Sequence, residues 1–243
     1  ENPYISQVIK LIDELLVYFG GVPVDCEFAF TKSDDCLTLW LLQARPLILK
    51  AQPDSDIEHY NKLRQIADKV ELGMCEHPFL MGKRTVYGVM PDWNPAEIIG
   101  LRPKPLALSL YRELITDSTW AYQRNNYGYR NLRSFPLMLH FYGMPYIDVR
   151  LSFNSFIPAN LPDNVAGKLV DAYIDRLLDK PYLHDKVEFE IVYSCYTLDL
   201  HERLQSLKSE GFSDREIATI TEHLKELTNK IIDPELGLWK EDA

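Results

Sequence analysis

The chain has 243 residues, of which 46% are hydrophobic and 26% are charged, as is usual for a globular protein of one or two domains. Its formal net charge is −10, and because phosphate contacts need clustered Lys and Arg, nucleic acid is not an expected partner. The four cysteines form no CxxC pair and no His cluster accompanies them, so a zinc site is not expected either. No secretory signal and no bilayer-long apolar run is present, which predicts a cytoplasmic protein without a membrane partner.

The first predicted elements are a helix and a hairpin. Apolar residues recur at helical spacing over residues 5–19, and Gly20-Gly21 ends this pattern. Residues 22–31 and 37–45 are predicted to be strands joined by a turn at Ser33-Asp34-Asp35. Since the second strand is almost entirely apolar, we expect it to lie inside a sheet.

The rest of the chain mixes helical patterns with extended ones. Residues 71–104 are rich in Pro, Gly and Trp and have no clean period, apart from a short helical turn at PAEIIG. Residues VEFEIVY alternate apolar and acidic side chains, which predicts a strand with one wet face. The further predicted elements are a linker at 51–56, helices at 57–70, 105–124, 163–179, 199–209 and 213–231, a hairpin within 136–156 turning at Tyr142-Gly143, and a strand at 187–196.

These elements predict an α+β fold with mainly antiparallel strands. We expect one unit at residues 1–52, a linker and connecting segment at 53–104, and a helix-rich α+β domain of unknown role at 105–243. The chain begins at Glu1 without Met and reaches a helical pattern almost at once, which we interpret as a piece of a longer protein.

The first hairpin carries the most informative polar residues. Side chains alternate along a strand, so Asp25 and Glu27 share one face of the first strand, and Gln43 and Arg45 share one face of the second. If the hairpin centres on Asp35, Glu27 lies opposite Gln43 and Asp25 lies opposite Arg45. Opposed Cβ atoms are about 4.5–5.5 Å apart.

This arrangement has two interpretations. A carboxylate and an amide oxygen suit Mg²⁺ bound together with phosphates, and a guanidinium suits the phosphates themselves, so Glu27, Gln43 and Arg45 describe half of a nucleotide–metal site. In the other interpretation, Asp25 and Arg45 form a cross-strand ion pair while Glu27 and Gln43 face water.

The order of helix, glycine turn, "DCEFAF", hairpin and "LLQARPL" resembles the C-terminal end of the ATP-grasp domain in phosphoenolpyruvate synthase, pyruvate phosphate dikinase and rifampicin phosphotransferase. The resemblance covers about residues 5–50. It implies that Glu27 and Gln43 bind the metal ions on ATP and that Arg45 contacts the phosphates, with ATP and Mg²⁺ as cofactors. Residues 85–160 resemble the middle portion of phosphoenolpyruvate-synthase-related bacterial proteins, a similarity that implies no particular chemistry.

The resemblance implies an ATP-dependent phosphotransferase acting with the remaining domains of a larger protein. Pyruvate or another small molecule would be the phosphoryl acceptor. The family's first ATP-binding lobe does not precede Glu1, and none of the six histidines lies in a Gly-rich and Ser/Thr-rich phosphocarrier segment. The chain is therefore not expected to be active alone, and no catalytic residue is assigned to it.

A second group of candidate residues lies at 122–133. An anion or acceptor pocket is one interpretation of it, and arginines paired with acids among packed tyrosines is the other. Asp148 and Arg150, on one face of a predicted strand, are candidates to bridge to this group. In contrast, Asp92-Trp93-Asn94-Pro95 is interpreted as the start of a helix, with Asn94 as its N-cap. The group comprises Arg124, Arg130 and Arg133 interleaved with Tyr122, Tyr127 and Tyr129.

A different class of function is also compatible with this composition. The chain would then be a protein-interaction or assembly module of a larger protein, without catalysis of its own. A large exposed apolar patch within residues 85–243 and a stable dimer favour this hypothesis, whereas a concave pocket lined by the three arginines favours acceptor binding.

Overall fold

A computed structural model of the chain describes residues 2–33, 36–47, 54–193, 195 and 197–235. The protein is mixed α+β with two small antiparallel sheets in this part of the chain. Its contacts divide it into two units, Glu1–Asn61 and Lys62–Ala243. The elements of the first unit are α1 (Pro3–Tyr18), β1 (Val24–Ser33) and β2 (Cys36–Pro46), and the unit boundary falls inside α2 (Asp56–Gly73).

The elements of the second unit include many short helices and two long ones, of 17 and 19 residues. Three short strands form its sheet, and one helical stretch is a π-helical turn. In chain order they are β3 (Tyr87–Gly88), α3 (Pro95–Ile98), α4 (Pro105–Tyr111), the π-helical turn Arg112–Thr116, α5 (Thr119–Tyr127), β4 (Met138–Phe141), β5 (Met144–Asp148), α6 (Val149–Asn154), α7 (Asp163–Asp179), a 3₁₀ turn Pro181–Leu183, α8 (Val187–Ile191), α9 (Leu200–Ser206), a 3₁₀ turn Leu207–Glu210 and α10 (Asp214–Ile232).

The predicted helix and hairpin of the first unit are both present. Asn2 caps α1 by accepting a hydrogen bond from the Tyr4 N–H at 3.0 Å, and β1 pairs antiparallel with β2. The predicted turn residues Asp34 and Asp35 lie outside the described residues, as do residues 51–53 of the predicted linker.

The prediction that the second strand lies inside a sheet is wrong. This sheet has two strands within the described residues, and Trp40 and Leu42 on β2 are 54% and 65% exposed. The apolar composition of β2 is therefore not matched by burial. The apolar stripe of α1 is also largely unburied, since Leu15 is buried while Ile5 and Ile9 are exposed.

In the second unit, β5 is the central strand between β3 and β4. The predicted hairpin is confirmed by the pairing of β4 with β5, and its two turn residues, Tyr142 and Gly143, have φ values of +50° and +85°. Two consecutive positive φ values are the signature of a type I′ turn, which matches the twist of the strands. The extended region ends at Asp148, because residues 149–154 form α6 instead of continuing the strand.

The main core surrounds α7. Val170, Ile174 and Leu177 on this helix are buried with Phe153 of α6 and with residues of the three C-terminal helices. A second cluster, around Trp120, Leu137 and Ile147, packs α5 against the sheet. The bounds of α7 agree with the predicted helix at 163–179. Its apolar residues pack with those of α6 and of the C-terminal helices.

The predicted single helix at 105–124 is interrupted. It contains α4, the π-helical turn and the start of α5. At the interruption, the carbonyl of Thr116 accepts a hydrogen bond from the N–H of Leu137 at 2.8 Å, so this carbonyl serves a tertiary contact. π-Helical turns arise where an α-helix accommodates such a local irregularity.

The strand predicted at 187–196 is wrong, because residues 187–191 form helix α8. Val187 and Ile191 are both buried and lie four residues apart, on one face of a helix, whereas Phe189 between them is 75% exposed. A sequence that alternates every second residue also has apolar residues four positions apart, so the same pattern is compatible with a helix. Packing against the α7 core selects the helix.

Candidate functional site

The hairpin places its polar residues in the predicted register. Asp25 pairs with Arg45 and Glu27 pairs with Gln43, although the pairing shifts by one residue between Glu27 and Phe28. Phe28 pairs with Leu41, so Leu42 is the extra residue of a β-bulge on β2. The bulge brings Gln43 and Arg45 to the face that carries Asp25 and Glu27.

Asp25 and Arg45 form an ion pair on this face. The Nε and Nη2 atoms of Arg45 donate to the same Asp25 carboxylate oxygen at 2.9 and 2.8 Å. Glu27 and Gln43 beside them are exposed. The hairpin face therefore combines a guanidinium, already bonded to one carboxylate, with a second carboxylate and an amide.

Metal binding by this face would need ligands from elsewhere. Within the described part of the chain, no group of three or more His, Cys, Asp and Glu side chains is arranged to hold a metal ion. Glu27 and Gln43 would supply two oxygens. Mg²⁺ usually keeps several waters and is coordinated by one or two protein carboxylates together with substrate phosphates, so such a pair suits Mg²⁺ that arrives with a nucleotide.

The arginines of the 122–133 group have separate partners. Arg124 donates to Asp92, Arg130 donates to Asp163 at 2.6 Å, and Arg133 donates to the side-chain oxygen of Asn125 at 2.6 Å. Arg133 also lies over the ring of Tyr122, 4.9 Å from its centroid. Of the three guanidinium groups, Arg124 lines the cavity described below and the other two do not.

Asp148 and Arg150 were predicted to share a strand face, which is wrong. Asp148 caps α6 by accepting from the Leu151 N–H, and it also accepts a hydrogen bond from Thr85 at 2.5 Å. Arg150 lies on α6, where its Nη1 donates to the Cys75 carbonyl at 2.8 Å. Both side chains therefore fix the loop before β3 to the start of α6. Burial raises the pKa of Asp148, against the effect of these hydrogen bonds.

A cavity of about 620 Å³ opens in the second unit beside Arg124. One Asp92 carboxylate oxygen accepts from Arg124 at 2.9 Å, and the other accepts from the Ser152 hydroxyl at 2.9 Å. The two charged side chains are nearly buried, with 7% of Asp92 and 14% of Arg124 exposed. The Arg124 guanidinium also stacks on Phe156, 4.0 Å from its ring centroid. Such a pair is held in place both electrostatically and by packing.

The segment that carries Asp92 is held in an uncommon backbone conformation. Asp92 and Trp93 both have φ values of +42°, a region that residues other than glycine seldom occupy and that is frequent at binding sites. The Tyr111 hydroxyl donates to the Trp93 carbonyl. Asn94 then caps α3 by accepting from the Glu97 N–H at 3.1 Å, which confirms the predicted helix start.

Two acidic groups of this cavity have altered proton affinity. Burial raises the pKa of Asp92, against the lowering effects of Arg124 and of the Ser152 hydroxyl. Burial also raises the pKa of Glu188, on α8, and the charge of Asp92 raises it further. Perturbed carboxyl groups in a concave site are typical of functional positions.

Sequence reasoning found Arg124 and missed Asp92 and Glu188 as site residues. The Asp92–Arg124 contact joins residues 32 positions apart, and Glu188 was placed on a predicted strand. The sequence signal that could have indicated Asp92 was an acidic residue next to Trp93 in a segment that has neither helical nor strand periodicity.

The part of the chain described here contains no helix long and apolar enough to cross a membrane. Comparisons of the chain with family models, with curated proteins and with solved structures find no match in any of the three.

Proposed function

We propose that this chain is part of an ATP-dependent phosphotransferase that resembles phosphoenolpyruvate synthase, with the hairpin face contributing to Mg-ATP binding. The register supports this proposal, because Glu27 opposite Gln43 presents two hard oxygen ligands beside Arg45. Glu27 and Gln43 hold Mg²⁺ on the nucleotide, and Arg45 contacts its phosphates. The phosphoryl acceptor is pyruvate or another small molecule, and the cytoplasm is the proposed location.

The charge balance of the face favours a nucleotide bound with its metal. Asp25 and Glu27 repel free phosphates, whereas Mg²⁺ between the acids and the phosphates reverses this repulsion. Arg45 exchanges its Asp25 partner for a phosphate oxygen. Because 63% of the Arg45 side chain is exposed, this exchange requires no opening of a buried structure. Its energetic cost is small, since exposed ion pairs of this kind contribute at most about 1 kcal/mol.

Calorimetry of Mg-ATP binding to the full-length protein tests the proposal. Glu27→Ala and Arg45→Ala are each expected to weaken binding by at least about tenfold, because each removes a charge-assisted contact worth about 1.5–3 kcal/mol. Lys32→Ala is the matched control. Lys32 is an exposed cation on the same strand, but it lies an odd number of residues from Glu27 and therefore on the opposite face. Unchanged affinity in both site variants would show that the hairpin is only sheet structure.

Exposed leucines favour a second candidate function, an assembly module of the larger protein. Leu106, Leu110 and Leu114 recur every fourth residue along α4 and the π-helical turn, and they are 69%, 49% and 63% exposed. Such a stripe is typical of a self-association surface. Light scattering should give a dimer that Leu110→Glu dissociates. Leu178→Glu, at a leucine of α7 that is 48% exposed, should leave it intact, and a monomeric parent protein would rule out self-association.

A further inference from the structure

The cavity beside Arg124 has aromatic walls. Its lining includes Trp93 from the loop before α3, Tyr127 from α5, Tyr129, Phe156, and Phe189 from α8. Tyr129 and Phe156 make an edge-to-face contact with a centroid distance of 6.2 Å, and Phe189 is 75% exposed at the rim. A volume of about 620 Å³ falls within the usual range for small-molecule sites. Walls of this composition suit a planar ring.

The two arginines of the lining are already bonded within the protein. Arg124 is paired with Asp92 at 2.9 Å. Arg203, from α9, donates to the backbone carbonyls of Phe189, Glu190 and Val192 at 2.9–3.1 Å. Two arginines and two acids, Asp92 and Glu188, balance in formal charge. The lining therefore carries no net formal charge that would favour an anionic or a cationic ligand.

Two residues that line the cavity each carry a polar atom that is buried from solvent without a partner. Neither the indole N–H of Trp93 nor the Oε2 atom of Glu188 has a hydrogen-bond partner within the described residues. Leaving a buried donor or acceptor unpaired costs about 1–3 kcal/mol, so native structures rarely contain such atoms. A ligand with one hydrogen-bond acceptor and one donor would satisfy both.

From these three observations, we propose that the cavity binds an uncharged planar heteroaromatic ring that carries both a hydrogen-bond acceptor and a donor, as a nucleobase does. The ring stacks against the aromatic walls. Its acceptor receives the Trp93 N–H, and its donor binds the Glu188 carboxyl group. This site lies in the second unit and does not depend on the hairpin, so it stands independently of the proposed phosphotransferase function.

The test uses three probes that share a planar ring and differ in charge: adenine, benzoate and benzyltrimethylammonium. Each is titrated into ¹⁵N-labelled full chain while the indole N–H resonances are followed. The chain has four tryptophans, and the resonance lost in Trp93→Phe identifies Trp93. Adenine should move this resonance and bind at least about tenfold more tightly than either charged probe, because charged groups pay a larger desolvation cost.

Two variants and one control complete the experiment. Trp93→Phe keeps a ring and removes the N–H donor, and it should weaken adenine binding about fivefold. Phe189→Ala removes an exposed stacking surface and should weaken binding about five- to tenfold. Phe79→Ala is the matched control, since Phe79 is equally exposed, at 75%, in the same unit and does not line the cavity.

Three outcomes would overturn the proposal. Tighter binding of benzoate or of benzyltrimethylammonium would assign the cavity to ions. A Trp93 resonance unmoved by millimolar adenine would show that the ring does not enter. Equal affinities of the Phe189→Ala and Phe79→Ala variants would place the binding elsewhere on the surface.

Discussion

Asp92 and Arg124 form a buried ion pair that joins the loop before α3 to α5. Their closest atoms are 2.9 Å apart, and 7% and 14% of the two side chains are exposed. Removing one partner of such a pair leaves an uncompensated charge in a desolvated site, which typically costs about 3–5 kcal/mol. The pair therefore has a structural effect that is separate from ligand binding.

We expect Arg124→Ala to lower the free energy of unfolding by about 3–5 kcal/mol. The loss combines the unpaired carboxylate of Asp92 with the lost stacking on Phe156. Urea denaturation at pH 7 measures it. The matched control is Arg84→Ala, because Arg84 pairs with Asp175 at the surface, where 40% and 62% of the two side chains are exposed. Arg84→Ala should lower the free energy of unfolding by less than about 1 kcal/mol. Equal losses in the two variants would show that burial of the Asp92–Arg124 pair does not determine its contribution.

The deficit of Arg124→Ala should depend on pH. Burial raises the pKa of Asp92, and Arg124 opposes that rise, so removing Arg124 raises the pKa of Asp92 further. The folded variant then holds a proton that the unfolded chain releases near its ordinary pKa. Its stability relative to the parent protein should fall as the pH rises from the raised pKa of Asp92 in the parent to the higher pKa in the variant, because the two unfolded chains release this proton at the same pH. If Arg124→Ala lowered the free energy of unfolding equally at pH 4 and pH 8, Arg124 would not be what opposes the rise in the pKa of Asp92.

A second prediction concerns competition for Arg45. Two of its nitrogens bond to Asp25, and the proposed phosphate contact must replace these bonds. Asp25→Asn should therefore tighten Mg-ATP binding by a few-fold, up to the about 1 kcal/mol that such an exposed pair is worth. Asp13→Asn on α1 removes an equal charge at another exposed position of the same unit. If both variants bind equally, Asp25 does not compete with the nucleotide.

The hairpin register was predictable because its determinants are local. Alternation fixes which residues share a face of β1, and turn residues fix the approximate centre of the hairpin. The assumed centre at Asp35 gave the observed pairing of Glu27 with Gln43, but the residues nearer the turn, such as Ser33 paired with Cys36, are one residue out of that register, and the bulge makes up the difference. The bulge at Leu42 was not predictable from an uninterrupted apolar run.

The cavity was not predictable because its determinants are non-local. The Asp92 side chain joins α5 and α6, through Arg124 and Ser152. The helical state of residues 187–191 depends on packing against the α7 core, which overrides an alternating pattern. Without that helix, Glu188 and Phe189 could not be assigned to one site.

Two glycines should respond oppositely to alanine. Gly143 has a φ of +85° with open space where a Cβ would lie, so Gly143→Ala is destabilising through backbone strain alone, by about 1 kcal/mol. Gly167 lies within α7, and its nearest neighbour to an added Cβ is at an ordinary 3.8 Å. Gly167→Ala should stabilise the protein by about 0.5–1 kcal/mol. Thermal unfolding compares the two, and changes of the same sign would contradict the type I′ turn.

The last prediction concerns the capping box of α10. The Ser213 hydroxyl accepts from the Glu216 N–H at 3.3 Å, while a Glu216 carboxylate oxygen accepts from the Ser213 N–H at 2.7 Å and from its hydroxyl at 2.8 Å. These bonds, with Lys168 nearby, lower the pKa of Glu216 to about 2. Ser213→Ala should cost about 1 kcal/mol at pH 7.

The pH dependence of this box follows from the lowered pKa. A carboxyl group with a lowered folded-state pKa contributes stability that is present above its unfolded value, near 4.5, and is lost as the pH falls toward about 2. Glu216→Gln should therefore destabilise the protein at pH 7 and converge with the parent protein near pH 2. Glu222→Gln, at a glutamate on the same helix but outside the capping box, serves as the control. A deficit of Glu216→Gln that persists unchanged to pH 2 would mean that amide geometry, and not the carboxylate charge, explains the loss.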